Sequence, residues 1–315
     1  MNTLNLLKSD FKVFLQALWH QLDLPQPTRA QYSIADYIQH GPKRLQIQAF
    51  RGVGKSWITG AFVLWTLFNN AEKKIMIISA SKERADNMSI FLQKLIIETP
   101  WLVHMRPKSD DARWSRISFD VNCSPHQAPS VKSVGITGQL TGSRADLMIL
   151  DDVEVPGNSM TELMREKLLQ LCTEAESILT PKDDSRILFL GTPQTTFTVY
   201  RKLAERNYRP FVWPARYPRD TSKYEGLLAP ALVSDIDNGA IEWTPTDDDR
   251  FDDLDLLERE ASMGRSNFML QFMLDTSLSD AEKFPLKMAD LIVTSVNPEK
   301  APEAIIWCSD PSNVI

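Results

Sequence analysis

Two short segments carry the residue types and spacing that phosphate chemistry requires. The first is Ala49-Phe50-Arg51-Gly52-Val53-Gly54-Lys55-Ser56, set between an apolar strand-like run and a helix-like one. Its glycines let backbone amides turn inward around phosphate oxygens. Lys55 is placed to reach the terminal phosphates, and the Ser56 hydroxyl to hold Mg2+. The opening position is alanine where the strict pattern has glycine, so the loop is a variant. The second segment, Leu147-Met148-Ile149-Leu150-Asp151-Asp152-Val153-Glu154, is an apolar run closing in carboxylates. Asp151 is expected on the metal side, with Asp152 or Glu154 orienting and deprotonating a water. Together they predict an ATP site built from Arg51, Gly52, Val53, Gly54, Lys55, Ser56 and Asp151.

Further residues fit around this pair. Pro27-Thr28-Arg29-Ala30-Gln31 has the spacing of a Q motif, in which the Gln31 amide reads the adenine edge. Arg186-Ile187-Leu188-Phe189-Leu190-Gly191-Thr192-Pro193 is another buried-strand pattern ending in a polar turn; it resembles the strand that additional-strand P-loop ATPases place between the other two motif strands, which would put Thr192 near the terminal phosphate. Arg51 is a candidate to touch that phosphate within its own chain, and Arg144 to act on a neighbouring subunit's ATP.

These residues need a sheet to hold them. Apolar periodicity predicts strands over 45–50, 74–79, 147–150, 186–190 and 210–213, and helices over 4–22, 56–68, 82–97, 159–178 and 198–206. Alternating strand and helix patterns imply an α/β domain with a mostly parallel sheet and helices on both faces. After Pro218 the pattern changes. The acidic run 247–260 reads as a solvated helix start or linker, followed by the more apolar 267–274. The chain therefore divides into an N-terminal helix and ATPase domain (1–218), a linker subdomain (219–297) and a final segment (298–315).

Composition narrows the classes further. With 43% hydrophobic and 24% charged residues the chain reads as a soluble globular protein. No apolar run approaches the roughly 20 residues that span a bilayer, and residues 1–22 lack a signal-peptide core. The 3 cysteines and 4 histidines are dispersed, without disulfide or zinc spacing. A net charge of -6 limits nucleic-acid contact to a local basic face or an assembled ring. Lys82, Arg84, Arg201, Lys202 and Arg206 are candidates for that contact by charge alone.

The segments 27–31, 50–56, 138–154, 188–195, 211–218 and 264–287 together resemble the large terminase subunit of T7-like podophages, called DNA maturase B. That resemblance implies a P-loop ATPase of the additional-strand, RecA-like type, in which the 186–190 strand lies between the other two motif strands. It also implies ATP and Mg2+ as cofactors and hydrolysis coupled to double-stranded DNA translocation into a procapsid. The implied partners are the portal protein, the small terminase subunit and sister copies in a homo-pentameric ring, the chain being a monomer before assembly. The implied location is the host cytoplasm, docked at the portal. The family carries a metal-dependent nuclease at its C-terminus. Ile305–Pro311 looks like its first strand, with Asp310 as first metal ligand, and no nuclease activity is expected from this incomplete chain. Two rivals remain from the residues alone: a helicase-like nucleic-acid-dependent ATPase, and a regulatory protein that binds nucleotide with little turnover.

Overall fold

The computed structural model describes residues 3–109, 112–140, 142–195 and 197–275. The N-terminal run forms two helices, α1 (Thr3–Ser9) and α2 (Phe11–Gln21), where the sequence predicts one. Asp10 makes the break, because its carboxylate accepts from the Lys12 amide at 2.8 Å and caps α2. Then follow α3 (Arg29–His40), β1 (Arg44–Ala49), α4 (Lys55–Asn69), β2 (Ile75–Ser79), α5 (Lys82–Glu98), β3 (Ser118–Phe119), β4 (Val131–Gly135) and β5 (Leu147–Asp151). The chain continues through α6 (Pro156–Ser159), α7 (Glu162–Glu176), β6 (Arg186–Gly191), α8 (Val199–Ala204), β7 (Arg209–Trp213), α9 (Pro230–Asp237), α10 (Asp253–Met263) and α11 (Arg265–Gln271).

The strands form one sheet in the order β3-β4-β2-β5-β6-β1-β7, with every pairing parallel except β3 with β4. β6 lies between β5 and β1, the additional-strand order that the resemblance implies. The strand side chains alternate between two apolar clusters, as a two-residue period demands. Leu45, Ile47, Ile75, Ile77, Ile149 and Leu188 face one, which α2, α3, α4 and α5 cover. Met76, Ile78, Met148, Leu150, Ile187 and Phe189 face the other, under α7 and α8. Burial on both faces makes these strands read as continuous apolar runs.

The segment after Pro218 joins the first cluster through Phe251, Leu256, Phe268 and Phe272. Its acidic run is the start of α10: Asp252 caps the helix, and Asp253 and Asp255 occupy the first turn, where the helix dipole favours negative charge. The fully buried Arg216 ties this segment to the end of the sheet by pairing with Asp253 and donating to the Trp243 carbonyl at 2.7 Å. Among the described residues no helix is long and apolar enough to cross a membrane. Asp310 and the whole 298–315 segment lie outside the described residues.

Candidate nucleotide site

Parallel strands bring their C-terminal ends to one edge, and the crevice outside that edge is where open α/β sheets bind ligands. Here β1 ends in the 49–56 loop, β5 in the acidic pair and β6 in Thr192. Arg51, Gly54, Lys55, Ser56, Arg84, Asp152, Glu154, Thr192 and Gln194 line a cleft of about 530 Å³ at that edge. The loop turns through Gly52 and Gly54, whose φ angles of 98° and 94° lie in the left-handed region that favours glycine. Ala49 at the variant opening position is buried inside β1 and needs no such freedom.

Lys55 is buried, its ammonium donating to the Ala49 carbonyl at 2.5 Å, to the Phe50 carbonyl at 3.3 Å and to Thr192 Oγ1 at 3.4 Å. Burial lowers its pKa, opposed by the charges of Asp152 and Asp151. Ser56 Oγ donates to Asp151 Oδ2 at 3.0 Å, while Asp151 Oδ1 is buried without a partner. Burial, and then the neighbouring Asp152, push the Asp151 carboxyl up to about 7. A hydroxyl and a carboxylate oxygen in contact, with a second carboxylate oxygen unpartnered, fit an Mg2+ ion beside a triphosphate. Among the described residues no group of three or more His, Cys, Asp or Glu side chains could hold a metal by itself. An ion here would complete its shell with phosphate and water oxygens, as Mg2+ commonly does.

The two candidate bases differ sharply. Asp152 follows the strand at a left-handed φ of 46° and lines the cleft with its backbone amide tied to the Leu190 carbonyl at 2.8 Å. Glu154 is 1% exposed, and both its oxygens are engaged. They accept from the Gln194 amide at 2.9 Å, Thr198 Oγ1 at 2.7 Å and the Val199 amide at 2.6 Å. Glu154 thus holds Gln194 and the start of α8. Its pKa is raised by burial and pulled back by those three donors.

Gln31 sits on α3 behind the loop, its Oε1 accepting from the Thr28 amide at 3.0 Å and its Nε2 donating to the Val53 carbonyl at 2.8 Å. It closes a capping box on α3 and staples that helix to the phosphate loop. One N–H remains for a base. A second cleft of about 570 Å³, lined by Trp19, Pro25, Gln31 and Trp57, shares Gly54, Trp57 and Arg250 with the first.

Three arginines stand in different places about the cleft. Arg51 lines the cleft but donates to Gln271 Oε1 at 2.9 Å, tying the loop to α11. Arg84, at the start of α5, lines the cleft opposite the loop, although its charge marked it only as a surface candidate. Arg144 precedes β5, at the other end of that strand from Asp151, and its guanidinium is exposed and bonded to the Ser143 carbonyl at 3.0 Å. It stands away from its own chain's cleft. Sequence reasoning missed Arg250, whose Nε donates to the Gly52 carbonyl at 2.9 Å from beyond the sheet domain. No local motif marks it, because its partner is a backbone oxygen 198 residues away.

The sequence relative agrees with the resemblance carried by the motifs. The chain is 49% identical, over 98% of its length, to the terminase large subunit of Enterobacteria phage T3, and spans 54% of that relative's length. The HK97 bacteriophage large terminase matches 81% of this chain and 52% of its own at 15% identity and a TM-score of 0.47. The large terminase ATPase domain of Thermus phage P74-26 matches 82% of this chain and 96% of its own at 15% identity, TM-score 0.42. No family model matches the chain.

Proposed function

We propose that the chain is the ATP-hydrolysing part of a viral DNA-packaging motor, a terminase large subunit that translocates double-stranded DNA into a procapsid. The observation that carries the ATPase reading is the meeting of Lys55, Ser56, Asp151 and Thr192 at one edge of the sheet. The 49% identity to a terminase large subunit carries the DNA-packaging reading.

Bound Mg2+ would supply charge neutralisation of the β- and γ-phosphates at the moment of transfer. Ser56 and Asp151 would hold the ion, and Lys55, released from the Ala49 carbonyl, would reach the phosphates. Asp152 is the base that orients and deprotonates the attacking water. Glu154, committed to three hydrogen bonds, positions the Thr192 turn rather than taking the proton. Trp57 and Trp19 flank the base, and Gln31 sets the height of the loop against it. Gln271, which accepts from Arg51, contacts the loop from the segment beyond Pro218, as do Arg250 and Phe251. The loss of a phosphate at Gly52 would therefore be felt directly by α10 and α11.

Arg144, exposed and away from its own cleft, enters the ATP site of the adjacent copy in a homo-pentameric ring. That ring docks on the portal protein in the host cytoplasm, with DNA delivered by the small terminase subunit and gripped through its backbone. Asp310 would belong to the metal-dependent nuclease that the resemblance implies. ATP turnover measured with and without double-stranded DNA and portal-bearing heads tests the assignment. Arg144→Ala protein mixed into wild type should depress turnover beyond simple dilution. Loss equal to dilution would remove Arg144 from the neighbour's site.

A further inference from the structure

At the sheet end opposite the nucleotide cleft, residues before β2, on β4 and before β5 enclose a separate cavity of about 550 Å³. Seven of its lining side chains are ionisable, and four of them pair with one another. Lys182 pairs with the buried Asp146 at 2.8 Å, and His126 pairs with Glu72 at 2.7 Å. Lys74, Lys132 and Arg144 have no carboxylate partner among the described residues. Lys132 Nζ donates only to Ser143 Oγ at 2.9 Å, and Arg144 to the Ser143 carbonyl. Lys74 is the most telling, since its ammonium is buried with no acceptor at all. Its backbone is pinned on both sides, the amide to Asp146 Oδ2 at 3.0 Å and the carbonyl to the Asp146 amide at 2.7 Å. In a chain of net charge -6, four cations against the two carboxylates of Glu72 and Asp146 around one concavity form a local reversal of sign.

A buried ammonium without a partner is costly, and a compact anion that reaches it removes that cost. A duplex is a rigid convex cylinder whose phosphates cannot follow a withdrawn side chain. A terminal phosphate on a flexible tail, or free orthophosphate, can. We propose that this cavity is a second phosphate site, taking a terminal phosphate on Lys74, Lys132 and Arg144. The phosphate comes either from a nucleotide held by a second copy of the chain or from free orthophosphate. The nucleotide source rests on the ring reading above; the orthophosphate source does not.

The test silences the first site with Lys55→Ala and titrates that chain with orthophosphate and with tripolyphosphate by calorimetry. One saturable site is expected, weakened about tenfold by Lys74→Met and by a similar factor by Lys132→Gln, each removing one charge-assisted hydrogen bond. Melting curves report whether either variant fails to fold, and the other then carries the comparison. A second arm mixes subunits bearing both Lys74→Met and Lys132→Gln with wild type and follows ATP turnover. Loss beyond dilution assigns the neighbour's nucleotide as the source, and binding in the first arm without such loss assigns orthophosphate. No saturable binding in the first arm together with no excess loss in the second overturns the proposal. So does a Lys74→Met effect confined to duplex DNA binding. If wild-type chain fails to take up Mg·ATP while Lys74-dependent phosphate binding persists, the motor reading falls and this site stands.

Discussion

Ser56 Oγ and Asp151 Oδ2 lie 3.0 Å apart, joining the first helical turn after the phosphate loop to the last residue of β5. The hydrogen bond holds the two proposed Mg2+ ligands close to each other in the free chain. It cannot satisfy Asp151 fully, because the second oxygen stays buried without a donor.

A pH dependence follows from that imbalance. The Asp151 carboxyl is pushed up to about 7, first by burial and then by Asp152. The folded state therefore holds this proton more tightly than the unfolded chain does. Stability from this group is greatest at low pH and falls as pH rises from the usual carboxylate range through about 7. Asp151→Asn should melt above wild type at pH 8 and close to it at pH 5. Mg·ATP should raise the melting temperature of wild type and leave Asp151→Asn unmoved. A variant that melts below wild type at pH 8 would contradict this account of the carboxyl.

The two acids beyond it separate by substitution. Asp152→Asn should leave the melting temperature nearly unchanged and lower turnover by roughly 10²–10⁴, the usual weight of a general base. Glu154→Gln puts an amide where three donors converge, and should cost about 1–3 kcal/mol of stability. Its turnover loss should follow its unfolding. The reverse pattern would make Glu154 the base.

Much of the site was readable because phosphate chemistry uses contiguous residues. The 49–56 loop, the acids after β5 and the turn after β6 each declare themselves in a few positions, and apolar strands buried on both faces mark the sheet that gathers them. The position of β6 between β5 and β1 came from the terminase resemblance, since no periodicity orders strands. What stayed hidden depends on distant contacts. Arg250 on Gly52, and Gln31 as a staple on Val53, are side chain to carbonyl bonds that leave no pattern in the chain. β3 and β4 were missed because they are short, and β4 reads as Val131-Lys132-Ser133-Val134-Gly135, too polar to stand out. The single helix expected over 4–22 failed at Asp10, whose capping preference outweighed the continuing apolar spacing.

Gln31 offers a separate test of the loop. Gln31→Ala removes a buried bond to Val53 and one end of the α3 capping box. It should destabilise the chain by about 1–3 kcal/mol and weaken ATP more than it weakens inorganic triphosphate. Equal weakening of both ligands, measured by calorimetry, would show that Gln31 only supports the loop.

Gly52 couples the loop to the segment after Pro218. A Cβ there would stand 2.7 Å from Phe251 Cζ, on a backbone at φ 98°. Gly52→Ala should cost at least about 1–2 kcal/mol for the left-handed backbone alone. It should also displace Phe251, raising its exposure to solvent. Proteolysis within 247–275 reports that release, and an unchanged digestion pattern would argue against the coupling.

Gln46 on β1 is fully buried, and neither end of its amide has a partner. Gln46→Met keeps the volume and removes that burden, so chemical denaturation should show a gain of about 1 kcal/mol with ATP affinity unchanged. A loss of stability would mean that the amide is satisfied in solution.

Calorimetric titration of Mg·ATP into the wild-type chain, the Ser56→Ala chain and the Asp151→Asn chain tests the central claim most directly. One nucleotide per wild-type chain is expected, with Mg2+-dependent affinity that both substitutions reduce at least about tenfold. No uptake by wild type, or uptake that neither substitution alters, would contradict the convergence of loop and strand end on one nucleotide.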